Sequence, residues 1–259
     1  METMNARALE GQAILITGAS GGLGAAIARH LAADGARVVL QYGRDREGAA
    51  RVLDEAGGRG WLVQADLADP EAPARLWAQS LALAGGRLHG LVNNAGIRST
   101  TRIGDAAESW RQVWRQEFQV NFFAAVDLCR EAVAHFQAQG GGRIVNMASR
   151  AGQRGYVQDA LPYGASKAAL INLTKSLAAS FGRSGVVAVA LAPGWVRTEM
   201  AEAFIAEHGE QAAVADIPTG AMATPDEVGE LVAFALRPSQ RSLNGATLDL
   251  NGGSYMRAG

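Results

Sequence analysis

Seven short runs rich in β-branched residues recur along the chain, at 13–17, 37–42, 61–65, 88–93, 143–147, 186–192 and 246–249. Between them lie longer stretches, at 25–33, 45–56, 71–84, 107–138, 163–181 and 224–236. These carry apolar residues at helical spacing, with Gly or Pro near several ends. Strand runs alternating with helices leave few topologies open. Each strand–helix–strand unit closes as a right-handed crossover, which makes the strands parallel and puts helices on both faces. Runs such as Ala13-Ile14-Leu15-Ile16 are apolar throughout, as strands buried on both sides must be. The expectation is an α/β fold: a single domain built on one doubly wound parallel β-sheet of about seven strands. A chain of 259 residues suits one such core, and no linker, repeat or low-complexity segment divides it. Residues 1–10 are polar and carry both charge signs, so a flexible tail is expected there, ahead of a catalytic domain at 11–259.

Composition narrows the partners. A formal net charge of −1 argues against a general nucleic-acid or membrane-surface role, and no run of eighteen apolar residues is present. The single cysteine, Cys129, falls in an apolar helical stretch and is expected to fill core space, which fits a reducing cytoplasm. No Gly-Lys dipeptide exists, which removes a P-loop, and His30, His89, His135 and His208 are too scattered to suggest a metal site.

Directly after the first run comes Thr17-Gly18-Ala19-Ser20-Gly21-Gly22-Leu23-Gly24, opening a helix. Glycines there let the backbone approach a pyrophosphate, whose charge is met by free N–H groups at the helix start. Asn93-Asn94-Ala95-Gly96 ends the fourth run, and Pro193-Gly194-Trp195-Val196-Arg197-Thr198 follows the sixth. Such carboxyl ends are the ligand edge of a parallel sheet. The other informative pattern is Tyr163-Gly164-Ala165-Ser166-Lys167. The chain has two lysines, Lys167 and Lys175, against twenty-two arginines, so a lysine here suggests a need for a compact ammonium. At i and i+4 of a helix the phenol and the ammonium share one face. A cation beside a phenol favours the phenolate and is expected to lower its pKa from ~10. Ser149, after the fifth run, can bond a substrate oxygen alongside Tyr163, so that the two donors stabilise charge on a carbonyl accepting hydride.

In order and spacing, these motifs resemble the classical short-chain dehydrogenase/reductase family, from Gly11 to Gly253. The resemblance implies a Rossmann-type fold and an NAD or NADP cofactor. Gly18, Ser20, Gly22, Leu23 and Gly24 would meet the pyrophosphate, and Asp66-Leu67 the adenine. Asn94, Ala95 and Gly96 would lie along the ribose with Tyr163 and Lys167, and Pro193, Gly194, Val196 and Thr198 would hold the nicotinamide amide. Asn121, seven residues after Trp114, would be the fourth catalytic member beside Ser149, Tyr163 and Lys167, holding a water that links Lys167 to solvent. The implied activity is an oxidoreductase interconverting a carbonyl and a secondary alcohol, as in 3-oxoacyl-acyl-carrier-protein reductases. A non-catalytic nicotinamide-binding sensor or scaffold is the competing reading, and the complete set of four residues speaks against it. Epimerase or dehydratase relatives carry a substantial C-terminal substrate domain, which six residues past Gly253 do not suggest.

Cofactor choice turns on the end of the second run, Val38-Val39-Leu40-Gln41-Tyr42-Gly43-Arg44. Tyr42 stands where an acidic side chain would bond the ribose 2′-OH and repel a 2′-phosphate. Arg44 follows within reach of such a phosphate, with Arg46 close behind. NADP(H) is therefore favoured, with NAD(H) the alternative, although Gly21 and Asp45 speak against it. Ile97-Arg98, residues 150–162 and a mobile lid at 199–219 are expected to wall the substrate pocket. Arg98, Arg150 and Arg154 are candidates to greet an anionic substrate. Surplus apolar residues on 107–138 and 163–181, among them Val120, Phe122, Phe123, Leu170, Leu173 and Leu177, point to a partner, and the resemblance implies a homotetramer or homodimer.

Overall fold

The computed structural model describes residues 7–156 and 159–257, with the side chains of residues 200 and 203 left aside. The elements are β1 (Ala13–Ile16), α1 (Gly22–Ala33), β2 (Arg37–Tyr42), α2 (Arg46–Glu55), β3 (Gly60–Gln64), α3 (Ala72–Leu83), β4 (Gly90–Asn93) and α4 (Ala107–Phe118). A π-helical turn (Gln119–Phe123) then leads into α5 (Ala124–Ala138), β5 (Gly142–Met147), α6 (Ala151–Arg154), α7 (Leu161–Phe181) and β6 (Val186–Pro193). The last elements are α8 (Glu199–His208), α9 (Glu210–Val214), α10 (Pro225–Leu236) and β7 (Thr247–Leu250). All seven strands are parallel, in the order β3-β2-β1-β4-β5-β6-β7. The order reverses between β1 and β4, and the crevice at that switch point is where such sheets bind ligands.

The strands feed two cores by their period of two. Ile14 and Ile16 of β1 face α1 and α10, whereas Ala13 and Leu15 face the layer of α3, α5 and α7. Cys129 is buried in the second layer, where burial pushes its thiol up to about 12, the inert state expected of a core cysteine. Helix α10 starts on a reciprocal capping box between Thr224 and Glu227.

Three expectations are corrected. Within the tail expected at 1–10, Leu9 is fully buried in the α1 core and its N–H donates to Asp34 O at 2.9 Å; residues 1–6 lie outside the described part. The helix expected over 107–138 is split by the π turn, in which Ala124 N–H reaches back five residues to Gln119 O. The lid expected at 199–219 is not a loop throughout, because α8 and α9 fill most of it.

Candidate active site

The switch point is stitched by side chains. Thr17 Oγ1 accepts the N–H groups of Asn94 and Ala95, each at 3.0 Å. Asn94 Nδ2 donates to Thr17 O at 2.9 Å and Gly18 O at 3.0 Å. Gln41 Oε1 accepts the Gly18 N–H at 2.7 Å, and its Nε2 donates to Ala65 O at 2.8 Å. The glycine loop is thereby held flush against three strand ends. Only glycine fits two of its positions. Gly18 has φ +64°, and a Cβ on Gly24 would lie 2.2 Å from Gly18 O. Helix α1 then begins with no side-chain cap and no acidic residue in its first turn, leaving its N–H groups and positive dipole end for an anion.

A cleft of about 710 Å³ runs from this loop across the carboxyl edge of the sheet. Gly18, Ser20, Gly22, Leu23 and Gly24 line one end, with Asp45, Gly48 and Arg51 beside them. Asn94 and Gly96 line its middle, and Ser149, Tyr163, Lys167, Pro193, Gly194, Val196 and Thr198 its far end. Ser149 follows β5, and its Oγ accepts the Ala151 N–H at 3.1 Å. Tyr163 and Lys167 project from the first turns of α7, and Lys167 Nζ lies 5.8 Å from the centre of the phenol ring. Nζ also donates to Met147 O at 2.8 Å, which aims the ammonium along the end of β5. Asn121, buried in the π turn, clamps the Ile97 peptide: Oδ1 accepts Ile97 N–H at 2.7 Å and Nδ2 donates to Ile97 O at 2.9 Å. Its Nδ2 also donates to Ser166 Oγ at 3.2 Å.

The family model described as enoyl-(acyl carrier protein) reductase matches residues 18–255. The chain is 33% identical to a 3-oxoacyl-[acyl-carrier-protein] reductase of Vibrio cholerae over 248 residues, 96% of this chain and 99% of that one. It is 34% identical to 3beta-hydroxysteroid dehydrogenase 1 of Eggerthella lenta, covering 97% of this chain and 96% of that one. Among solved structures, a short-chain dehydrogenase from Burkholderia cenocepacia in complex with NADP superposes with a TM-score of 0.86 at 35% identity, covering 95% of this chain and 98% of that one. The chain belongs to the short-chain dehydrogenase/reductase family.

Other residues expected in this dehydrogenase/reductase's site lie outside the main cleft. Tyr42 is buried at the end of β2 and Arg44 is exposed in the turn after it. Asp66 turns its Oδ1 onto Ala68 N–H at 3.0 Å and borders a separate hollow with Gly43 and Gln64. Leu67 is buried in the core, and Ala95 backs the glycine loop. The three arginines expected to greet an anion are paired. Arg98 sits 3.4 Å from Asp159 and over the ring of Tyr156, while Arg150 and Arg154 share Asp216 at 2.9 and 3.0 Å. Residues 157–158 of the expected pocket wall lie outside the described residues.

Sequence reading missed the locking roles of Thr17 and Gln41, the buried Glu117, and the tilted packing of Trp195 against Phe204, ring centres 4.9 Å apart, which puts an aromatic side chain on the cleft. A glutamine inside an otherwise apolar strand run was the available signal for Gln41. Gly18-Ala19-Ser20-Gly21-Gly22 also has the Gly-x-Ser-x-Gly spacing of a hydrolase elbow. No histidine lines the cleft among the described residues, so Ser20 has no such base beside it.

The electrostatics of the free protein differ from the expectation for Tyr163. Burial is the largest influence and pushes its phenol up to about 12, with Ser149 acting the other way. Burial also brings Lys167 down to about 8, opposed by the charge of Glu117. A low-dielectric pocket penalises the charged form of each group, and for the phenol neither Ser149 nor the charge of Arg98 overcomes that penalty.

Proposed function

We propose that the protein interconverts a carbonyl and a secondary alcohol using NADP(H), acting on a ketone or a 3-oxoacyl thioester. The observation that carries this reading is the meeting of Ser149, Tyr163 and Lys167 at one end of a cleft whose other end is a glycine cradle. The cleft fits a dinucleotide: the uncapped α1 N-terminus and a loop with no room for a Cβ at Gly24 suit a pyrophosphate. Gly18, Ser20, Gly22, Leu23 and Gly24 would hold the phosphates, Asn94 and Gly96 the ribose side, and Pro193, Gly194, Val196 and Thr198 the nicotinamide end. The bound nicotinamide supplies hydride in reduction and takes it back in oxidation.

The remaining chemistry belongs to the chain. Ser149 and Tyr163 donate hydrogen bonds to the substrate oxygen as negative charge builds on it, and Tyr163 delivers its proton there. A phenol held protonated by burial suits the reducing direction near neutral pH. Lys167, fixed by Met147 O, sets a positive charge beside the phenolate that remains. Asn121 keeps the Ile97 peptide in place, and with it the Gly96 backbone, where a Cβ would come within 3.2 Å of Lys167 Nζ.

The preference for NADP(H) is supported by Tyr42 in place of a carboxylate and by exposed Arg44. Asp45 is partly spent as the cap of α2, accepting Gly48 N–H at 2.8 Å. The test is a panel of ketones, 3-oxoacyl thioesters and secondary alcohols followed by cofactor absorbance, with NADPH and NADH compared in wild type and Arg44→Ala. A charge-assisted contact corresponds to about ten- to hundred-fold in kcat/KM, and Arg44→Ala should lose that margin towards NADPH. Wild-type preference for NADH would overturn the cofactor assignment, and no turnover across the panel would overturn the activity.

We also propose a homotetramer assembled through the α4–α5 face. Of the residues expected to be surplus, Leu170 and Leu177 are buried and Leu173 packs against this chain's own core. The aromatic series Trp110, Trp114, Phe118, Phe122 and Phe123, with ring centres 5.5–6.2 Å apart between successive members, ends on Phe123 at 49% exposure. Light scattering at micromolar protein should give the mass of four chains, and a mass of one chain would refute the assembly. Among the described residues no helix is long and apolar enough to cross a membrane.

A further inference from the structure

Glu117 lies one helical turn before Asn121, at the end of α4, and is 0% exposed. One of its oxygens accepts the Ser99 N–H, while Oε2 is buried without a hydrogen-bond partner among the described residues. Burial pushes its carboxyl up, while the Ser99 N–H and the charges of Arg98 and Lys167 favour the carboxylate. Two cations act on it. Arg98 lies in the loop after β4, its Nε buried without a hydrogen-bond partner among the described residues, and Lys167 lies on α7; each acts on Glu117 by its charge, without an ion pair within 4 Å. Asp159 is ion-paired with Arg98, whose guanidinium also lies over the Tyr156 ring. Tyr163, next to Tyr156, feels the Glu117 charge as well.

From the side of Lys167 the relation is more exclusive. Lys167 is 4% exposed, and among the described residues its one hydrogen bond is to a neutral carbonyl, Met147 O. Burial opposes its charge, and Glu117 is the group that favours it. Along one line of α4 and the π turn, Glu117 holds Ser99 and Asn121 holds Ile97, so both brace the turn carrying Gly96 against Lys167. We propose that Glu117 is a positioning residue of this site: it pins the loop behind Gly96 and supplies the buried negative charge that keeps Lys167 an ammonium. Its consequence for turnover rests on the reading of Tyr163 and Lys167 given above, whereas the charge coupling is a property of the free protein.

The sign follows from the direction of each shift. Lys167 is depressed, so its ammonium is present below pH about 8 and is lost as pH rises through that value. Without the Glu117 charge the loss must come at lower pH. Glu117→Gln removes the charge and keeps both the volume and an acceptor for Ser99 N–H. Glu117→Leu gives a second charge-free protein of similar size should the first fail to fold.

Two lysines make the measurement direct. Lysine labelled with ¹³C at Cε gives two signals, assigned by Lys175→Arg, and the free protein is titrated without cofactor. In the charge-free variant the Lys167 midpoint is expected to fall by about half a unit or more, with Lys175 unmoved. The alkaline limb of NADPH-dependent reduction should move in the same direction. An unchanged or raised Lys167 midpoint would overturn the proposal, since a purely structural Glu117 would leave it in place. A shifted midpoint in a protein without turnover would leave the coupling standing and overturn the functional reading instead.

Discussion

Tyr163→Phe is expected to lower turnover by at least ~10²-fold, the scale of a lost general acid, with NADPH binding almost unchanged. The substitution removes one oxygen. The ring keeps its packing against Tyr156, 5.6 Å away, and Lys167 keeps its anchor on Met147 O, so neither α7 nor the cleft has reason to move. In the mechanism proposed above, the substrate oxygen would then lose its proton source and one of two hydrogen-bond donors. The check pairs steady-state reduction of an accepted carbonyl with a fluorescence titration of NADPH. Near wild-type turnover would remove Tyr163 from the proton transfer.

Gly24→Ala is expected to damage both stability and cofactor binding. The added Cβ would sit 2.2 Å from Gly18 O and 2.8 Å from Ala19 Cα, and both obstacles are backbone. Helix α1 would have to lift from the end of β1, dragging the loop off Asn94 and Gln41, which hold it. Overpacking of this kind costs about 1–3 kcal/mol, which for a chain of this size lowers Tm by roughly 2–12 °C. Calorimetry and the same NADPH titration measure the two effects. A variant with unchanged Tm and unchanged binding would show that the loop does not lie where the cradle requires it.

Much of this architecture could be read in the residues. The seven runs are the seven strands, displaced by no more than two residues at either end, because apolar residues dominate strands buried on both faces even where polar ones such as Gln41 and Asn146 interrupt them. The lid was harder. Residues 199–219 read as loop, yet Glu199–His208 is helical and packs Phe204 and His208 against each other beside Trp195. A short helix held by a few aromatic contacts has too little periodicity to announce itself. The break at Gln119–Phe123 was also hidden, since a π turn changes the hydrogen-bond partner by one residue without needing Gly or Pro.

The site divides along the same line. The chain itself determined which groups could do chemistry, because the spacing of Tyr163 to Lys167 on a helix and of glycines after a strand is set by local backbone geometry. What it could not determine was how those groups are charged and held. That the phenol is pushed up and the ammonium down follows from burial, which comes from packing α7 onto β5 and the loop after β4. That Gln41 locks the glycine loop and the charge of Glu117 reaches Lys167 depends on residues well separated in the chain being brought together in space. Desolvation and long-range charge exist only once the chain has closed on itself, so the tertiary structure alone decided them.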